Sequence, residues 1–300
     1  MFPWSKIKIH STNEWSPLKS VVVGDALGAY KPDGLHFEKP GGYRGDTIAQ
    51  ATMDLDRFAR TLQQEKVKVY RPEQHDFTWA GGMYNYCPRD RLLVIGDTVL
   101  DCNMQYTMRN AESKYLDFVL KDAKRVLTVP RNKGIFFDAA NVCRLDNTLL
   151  YLQSVSGNRK GARWLQKQFP DHKVEITKTY GGVHIDSTFS PIADGLVVVN
   201  KDRVNKTTLP RVFKDWEVIW LGAEDLPLKP IYPGNPAPAA SNYILLNFFM
   251  IRPDLAVIDY APKLEAALRS NGVLSYVIPF SESRTLGGGH HCCTLDLHRK

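Results

Sequence analysis

One pattern recurs along this chain and restricts its fold more than any other feature. Two short apolar strands are followed by a helix-like stretch and then by one more strand. In the first unit Leu92–Ile95 and Thr98–Cys102 flank the turn signal Gly96-Asp97. A helical stretch at about Glu112–Lys121 and a strand at Arg125–Val129 complete it. The second unit pairs Val142–Leu145 with Thr148–Leu152, then has a helix near Lys160–Gln168 and a strand at Lys173–Ile176. The third pairs Ser187–Ile192 with Leu196–Asn200 and ends at Glu217–Leu221, with a middle section of weaker helical character. The fourth pairs Ile244–Met250 with Leu255–Asp259, then has a helix at Pro262–Ser270 and a strand at Leu274–Ile278. The last unit is split: Thr294–His298 comes from the C-terminal end, and Ser20–Val23, the Thr47–Gln64 helix and Val67–Tyr70 come from the N-terminal end. A solenoid of such units would leave two open ends. Splitting one unit between the ends removes the free edges, so the reading is an α/β chain of ββαβ units in a closed radial arrangement.

The length of 300 residues allows one large domain or two ordinary ones, and the ring of units makes residues 1–300 a single domain. Hydrophobic residues make up 43% and charged residues 24%, an ordinary globular balance. The net charge of +7 is spread along the chain rather than gathered on one face, so a nucleic-acid partner is not expected. The longest apolar run, Tyr243–Ile251, is interrupted by Asn247 and is far short of a membrane span. The first fifteen residues lack an apolar core with a small-residue cleavage site, so a secretory leader is not expected either. Five cysteines at irregular spacing do not form a disulfide framework and fit a reducing, cytoplasmic setting in which a thiol is kept for reactivity. The Pro-rich segment Pro227–Pro238 reads as an ordered loop or a lid.

Chemistry-bearing residues stand at one phase of the units. Asp90, Asp138, His184, Ser241 and Cys292 recur at intervals of roughly fifty residues. In a ring, equivalent positions of all units converge on the axis, so these residues are expected in one pocket. Gly287-Gly288-Gly289-His290-His291-Cys292-Cys293 supplies glycines for a tight backbone and then a cysteine at a strand edge. Two readings stand side by side here: a nucleophilic thiol, and a buried structural cysteine after a Gly-rich turn. A metal site made of His290, His291, Cys292 and Cys293 is disfavoured, because adjacent side chains of a strand face opposite ways. His184 and Asp186 would share one face of an extended strand. Asp138, between Phe137 and Ala139, needs a buried partner: a backbone amide, Arg144 or His184.

Taken together, these segments resemble the amidinotransferase family of glycine and inosamine-phosphate amidinotransferases. The resemblance rests on Tyr84…Pro88-Arg89-Asp90, Phe137-Asp138-Ala139-Ala140, His184-Ile185-Asp186-Ser187-Thr188-Phe189, Asn200…Asp202-Arg203 and Gly287-Gly288-Gly289-x-His291-Cys292. It implies a five-bladed, pentein-like α/β propeller with pseudo-fivefold symmetry around a central active site. It also implies roles: Cys292 as nucleophile, His184 as acid and base, and Asp138 as the group that orients His184. Asp90 and Asp186 would grip a guanidinium. Arg203 would hold the donor's carboxylate beside Ser241, with Tyr84 and His291 also facing substrate. The chain departs from the family at His290, at Cys293 and at Asn141.

The activity implied is transfer of the amidino group of arginine to an acceptor amine, glycine by default, through an amidino-cysteine, with ornithine released. It needs no cofactor and no metal. Its partners are small molecules, with neither nucleic acid nor membrane involved, and a homodimer is compatible with the sequence. A guanidino hydrolase of the arginine deiminase or dimethylarginine hydrolase type uses a similar Cys–His–acid set but lets water resolve the intermediate. A propeller serving as a binding module, with a C-terminal His/Cys metal site, is the non-enzymatic alternative.

Overall fold

The computed structural model describes residues 6–31, 41–78, 82–230 and 238–300. Most of the Pro-rich Pro227–Pro238 segment therefore lies outside the described residues. Among the described residues, five three-stranded sheets carry the architecture, and all five have the same internal order. In each, an antiparallel pair is extended by a third strand parallel to the middle one. Leu92–Ile95, Thr98–Asp101 and Arg125–Thr128 form the first. Val142–Leu145, Thr148–Leu152 and Lys173–Thr177 form the second. Phe189–Ala193, Leu196–Asn200 and Glu217–Leu221 form the third, and Phe249–Arg252, Leu255–Ile258 and Leu274–Val277 the fourth. The split sheet pairs Thr294–Arg299 with Leu18–Val23, which runs parallel to Lys68–Tyr70. A parallel third strand needs a crossover, and the helices supply it in most units. Gly45–Gln64 shows how: Ala51, Leu55, Phe58, Ala59 and Leu62 are buried at helical spacing, and the opposite face is solvated.

Five apolar clusters fill the spaces between units. One packs Leu93 and Leu100 of the first unit on Phe137 and Leu149 of the second. The next joins Leu145 and Leu150 to Phe189 and Val197 of the third unit. Ile192 and Val198 then meet Met250 and Ala256 of the fourth. Phe249 and Val257 of the fourth meet Val21 and Phe58 of the split unit. Finally Val22 and Leu295 of the split unit meet Leu92 and Val99 of the first. Every unit thus packs on two neighbours.

Four local expectations change. The Ile244–Met250 run begins as a 3-10 helix, Asn242–Leu246, and the strand starts at Phe249. Apolar residues on both sides of Asn247 leave no period-two signal, and here the Asn247 N–H closes back on the Ile244 carbonyl. Neither His184 nor Asp186 lies in a strand: Asp186 is in a turn, where Thr188 and Phe189 donate back to the Ile185 carbonyl, and His184 is in the loop just before it. Cys292 likewise sits in a turn just before the Thr294–Arg299 strand. The Glu112–Lys121 stretch is divided between a 3-10 helix, Thr107–Leu116, and a short α-helix, Asp117–Asp122. Among the described residues, no helix is long and apolar enough to cross a membrane.

Candidate active site

Loops that enter the first strand of each unit bring the reactive groups together. Asp90 sits on the four-residue helix Pro88–Arg91, ahead of the first strand pair. Asp138 is the N-cap of the Ala139–Asn141 turn, ahead of the second. His184 and Asp186 precede the third pair, and Cys292 precedes the C-terminal strand. Their shared phase follows from the architecture, since each loop lies at the same end of its sheet.

His184 is held between two carboxylates. Its Nε2 is 3.1 Å from Asp138 Oδ2, and its Nδ1 is 3.5 Å from Asp90 Oδ1. Burial works against a charged imidazole, but Asp90, Asp138 and the neighbouring Cys292 outweigh it and hold the His184 pKa well above its ordinary value. Of the partners open to Asp138 in the sequence, His184 takes one carboxylate oxygen and the Gln105 amide donates to the other at 3.2 Å. Arg144 is engaged elsewhere. Burial pushes Asp90 up, opposed by His184 and Arg109. Its Oδ2 accepts from Arg109 at 3.1 Å, while Oδ1 is buried without a hydrogen-bond partner. An acceptor left in that state beside a cleft suits an N–H group of a bound cation.

The sulfur of Cys292 lies in an anionic setting. Its thiol donates to Asp186 Oδ2 at 3.2 Å. A contact with the Cys87 thiol, burial and the Asp186 charge all push the Cys292 pKa well up, and His184 opposes them. Asp186 is a firm anion: burial disfavours its charge, but hydrogen bonding from His291, together with His291 and His184 as neighbours, holds its pKa below the usual carboxylate range. The glycines do what the sequence suggests. Gly287 has a φ of 83°, a Cβ on Gly288 would lie 2.4 Å from Cys87 Sγ, and one on Gly289 would lie 2.8 Å from Asn247 Oδ1.

A cleft of about 200 Å³ opens above the sulfur, with His184, Asp186, Arg203, Ser241, Asn247 and Cys292 among its lining. Arg203 stands between the rings of Tyr180 and Tyr243, at 4.4 and 4.8 Å from their centroids, and donates to Ser187 Oγ and Thr188 Oγ1. Stacking between two rings fixes the guanidinium plane. Ser241 is exposed on the cleft wall. Tyr84 does not line the cleft: it is buried in the core, with Arg109 5.0 Å from its ring centroid. It therefore supports Arg109 and, through it, Asp90. His291 lies behind Asp186, with Nδ1 2.9 Å from Asp186 Oδ2 and Nε2 3.2 Å from Glu14 Oε2.

Among the described residues, Asp90, His184 and Cys292 are the donors grouped closely enough to hold a metal ion, within 4.8 Å of one another. The run from His290 to Cys293 does not converge. His290 packs on Phe280 and Phe58, and burial lowers its pKa to about 4, whereas His291 faces the carboxylates.

Three participants escaped the sequence reading. Asn247 donates to Cys292 Sγ at 3.2 Å, and its phase could have revealed it, since it precedes the strand of the fourth unit as Cys292 precedes that of the split unit. Ser241, chosen from the sequence for that phase, starts the preceding 3-10 turn instead. Arg109 and Glu14 carried no comparable signal. Glu14 follows an N-terminal segment whose Ser11 and Asn13 bridge to Gly96 and Leu145, and that path sets it beside Arg144 and His291.

No family model matches the chain. Inosamine-phosphate amidinotransferase 1 of Streptomyces glaucescens is 33% identical over 344 aligned positions, covering 98% of this chain and 97% of that protein. The L-arginine:L-lysine amidinotransferase of Pseudomonas savastanoi pv. phaseolicola is 27% identical, covering 97% and 94%. Among solved structures, the inosamine-phosphate amidinotransferase of Streptomyces griseus superposes with a TM-score of 0.90 at 31% identity, covering 98% of this chain and 97% of that one.

Proposed function

The chain belongs to the amidinotransferase family, and on that premise we propose that it moves the amidino group of arginine to an acceptor amine through a covalent adduct on Cys292. The observation that carries this reading is a thiol and an imidazole set among three buried carboxylates beside one cleft. A guanidinium is a planar cation with a weakly electrophilic carbon. Asp90 Oδ1 and Asp186 accept its N–H groups and hold its plane. Arg203 takes the carboxylate at the far end of the donor. In the free enzyme the carboxylates keep the thiol protonated; the incoming cation neutralises them, and the thiol releases its proton to solvent to become the thiolate while His184 keeps its own. Sulfur then bonds to the guanidino carbon, and the carbon–nitrogen bond to the ornithine side breaks. His184 gives its proton to that nitrogen. An acceptor amine enters the vacated place, His184 takes a proton from it, and the steps reverse in ping-pong order. Asp138 holds the imidazole in position throughout.

The five sheets, in this reading, are the blades of a five-bladed α/β propeller forming one domain. The succession of apolar clusters from unit to unit and back supports it. The acceptor is a primary amine; glycine is the reference candidate, with lysine and an inosamine phosphate alongside it, because relatives are named for those acceptors.

Intact mass spectrometry after mixing with arginine alone tests the proposal. It predicts a gain of about 42 Da on Cys292 with ornithine released, and discharge of the adduct by an accepted amine. Citrulline as the product would favour the hydrolase, and substantial turnover by Cys292→Ala would overturn the role given to the sulfur.

A further inference from the structure

We infer that Asn247 is a positioning residue for the nucleophile, supplying a permanent hydrogen bond to the Cys292 sulfur through both half-reactions; the inference rests on the function proposed above.

Asn247 is 1% exposed, and both ends of its carboxamide are used. Oδ1 accepts from the backbone N–H of Cys292 at 3.0 Å. Nδ2 donates to Cys292 Sγ at 3.2 Å and to the Asp186 carbonyl at 3.3 Å. The orientation of the amide is set by chemistry: a backbone N–H can only donate, so the oxygen must face it and the NH₂ must face the sulfur. The Asn247 backbone carbonyl also accepts from the His291 N–H at 3.2 Å. One residue of the fourth unit therefore ties the nucleophile loop to the loop that carries Asp186. Gly289 is part of the arrangement, since any Cβ there would press on Asn247 Oδ1.

The need for such a donor follows from the charges nearby. Asp186 and Asp90 both oppose negative charge on the sulfur, and the Asp186 oxygen contact is lost as a favourable bond once the thiol proton leaves. His184 favours the thiolate only while it carries its proton, which it must give up in one half-reaction and regain in the other. A carboxamide does not titrate. Its N–H stays on the sulfur when the thiolate attacks and again when it departs, and it needs no reorganisation in a water-poor setting.

Asn247→Asp separates this role from a structural one. The shape is kept, and a carboxylate oxygen can still accept from the Cys292 N–H, so the tie to the nucleophile loop survives while the bond to the Asp186 carbonyl is lost. The group facing sulfur changes from donor to anion. The readouts are the pH midpoint for alkylation of Cys292 by iodoacetamide and the rate of adduct formation from arginine. The midpoint should rise by about one pH unit or more, a tenfold loss of thiolate at a given pH. Adduct formation should slow by about 10²-fold, with KM for arginine changed by less than about threefold. Asn247→Ser, which adds no charge, should raise the midpoint by a smaller step and serves if the Asp variant fails to fold. An unchanged midpoint in either folded variant overturns the inference. Alkylation needs no substrate, so that result is distinct from failure of the wild-type protein to form an amidino adduct, which would sink the proposed function instead.

Discussion

Asp138→Asn should disable the enzyme without disturbing its shape, and the hydrogen bonds of Asp138 show why. The two carboxylate oxygens have different partners: Oδ1 accepts from the Gln105 N–H at 3.2 Å, and Oδ2 faces His184 Nε2 at 3.1 Å. In an asparagine the oxygen must stay with the backbone donor, because that N–H has no other role to play. The NH₂ is then forced onto His184 Nε2. Two donors cannot share a hydrogen bond, so His184 must present Nε2 as an acceptor and carry its remaining proton on Nδ1, toward Asp90. The imidazole loses its charge and is held in the wrong tautomer. Comparable loss of the orienting acid in a nucleophile–His–acid set lowers turnover by about 10⁴-fold, and we expect 10³-fold or more here. The pKa of His184 should fall in the variant, since one of the anions that raises it is gone. That shift has a stability consequence. A raised imidazole pKa contributes stability that is fully present below the unfolded value and is lost as pH rises through the folded one. The variant should therefore lose stability against wild type in acid to neutral solution, and the difference should shrink at higher pH. Turnover with arginine and an acceptor, the His184 resonance followed by NMR across pH, and urea unfolding at several pH values provide the assays. Turnover within tenfold of wild type, or an unmoved His184 titration, would refute the assignment.

Two other outcomes can be checked. Asp296 accepts from Arg89, Arg144 and Arg299 in a fully buried cluster, so Asp296→Asn leaves three guanidinium groups short of an anion and should cost about 3–5 kcal/mol, read as a lowered urea midpoint. Burial opposes the charge of Asp296, but Arg299, Arg89 and Arg144 hold its pKa below the ordinary range; this stability is present above the unfolded carboxylate pKa and is lost as pH falls through the folded one, so the gap between variant and wild type should close in strong acid. Arg203→Ala should raise KM for arginine by tenfold or more while a guanidine lacking a carboxylate is handled much as before; equal effects on both would remove Arg203 from donor binding.

The repeat of apolar strands and turns made most of the fold legible in one dimension, because strand pairing within a unit is local and its signals are local. Leu92–Ile95, Val142–Leu145, Thr148–Leu152, Leu196–Asn200 and Pro262–Ser270 begin and end where the pattern places them. Phase within the repeat then pointed to Asp90, Asp138, His184, Ser241 and Cys292; the structure brings the other four together and leaves Ser241 on the cleft wall at the start of a 3-10 turn. Errors fell where apolar character lacks periodicity, as in Ile244–Met250, or where backbone hydrogen bonds close a turn, as at residues 185–189 beside His184.

By itself, then, the sequence determined the unit, its repetition and the residue types able to carry amidino chemistry, since these depend on spacing along the chain. Tertiary structure alone decided which partner each group takes. Asn247 against the sulfur and Glu14 against His291 join residues 45 and 277 apart in sequence when the units pack, and Arg109 reaches Asp90 across the loops of the first unit. The same packing decides the protonation of the site, because burial and unlike neighbours, not residue identity, keep the Cys292 proton on and the His184 charge in place.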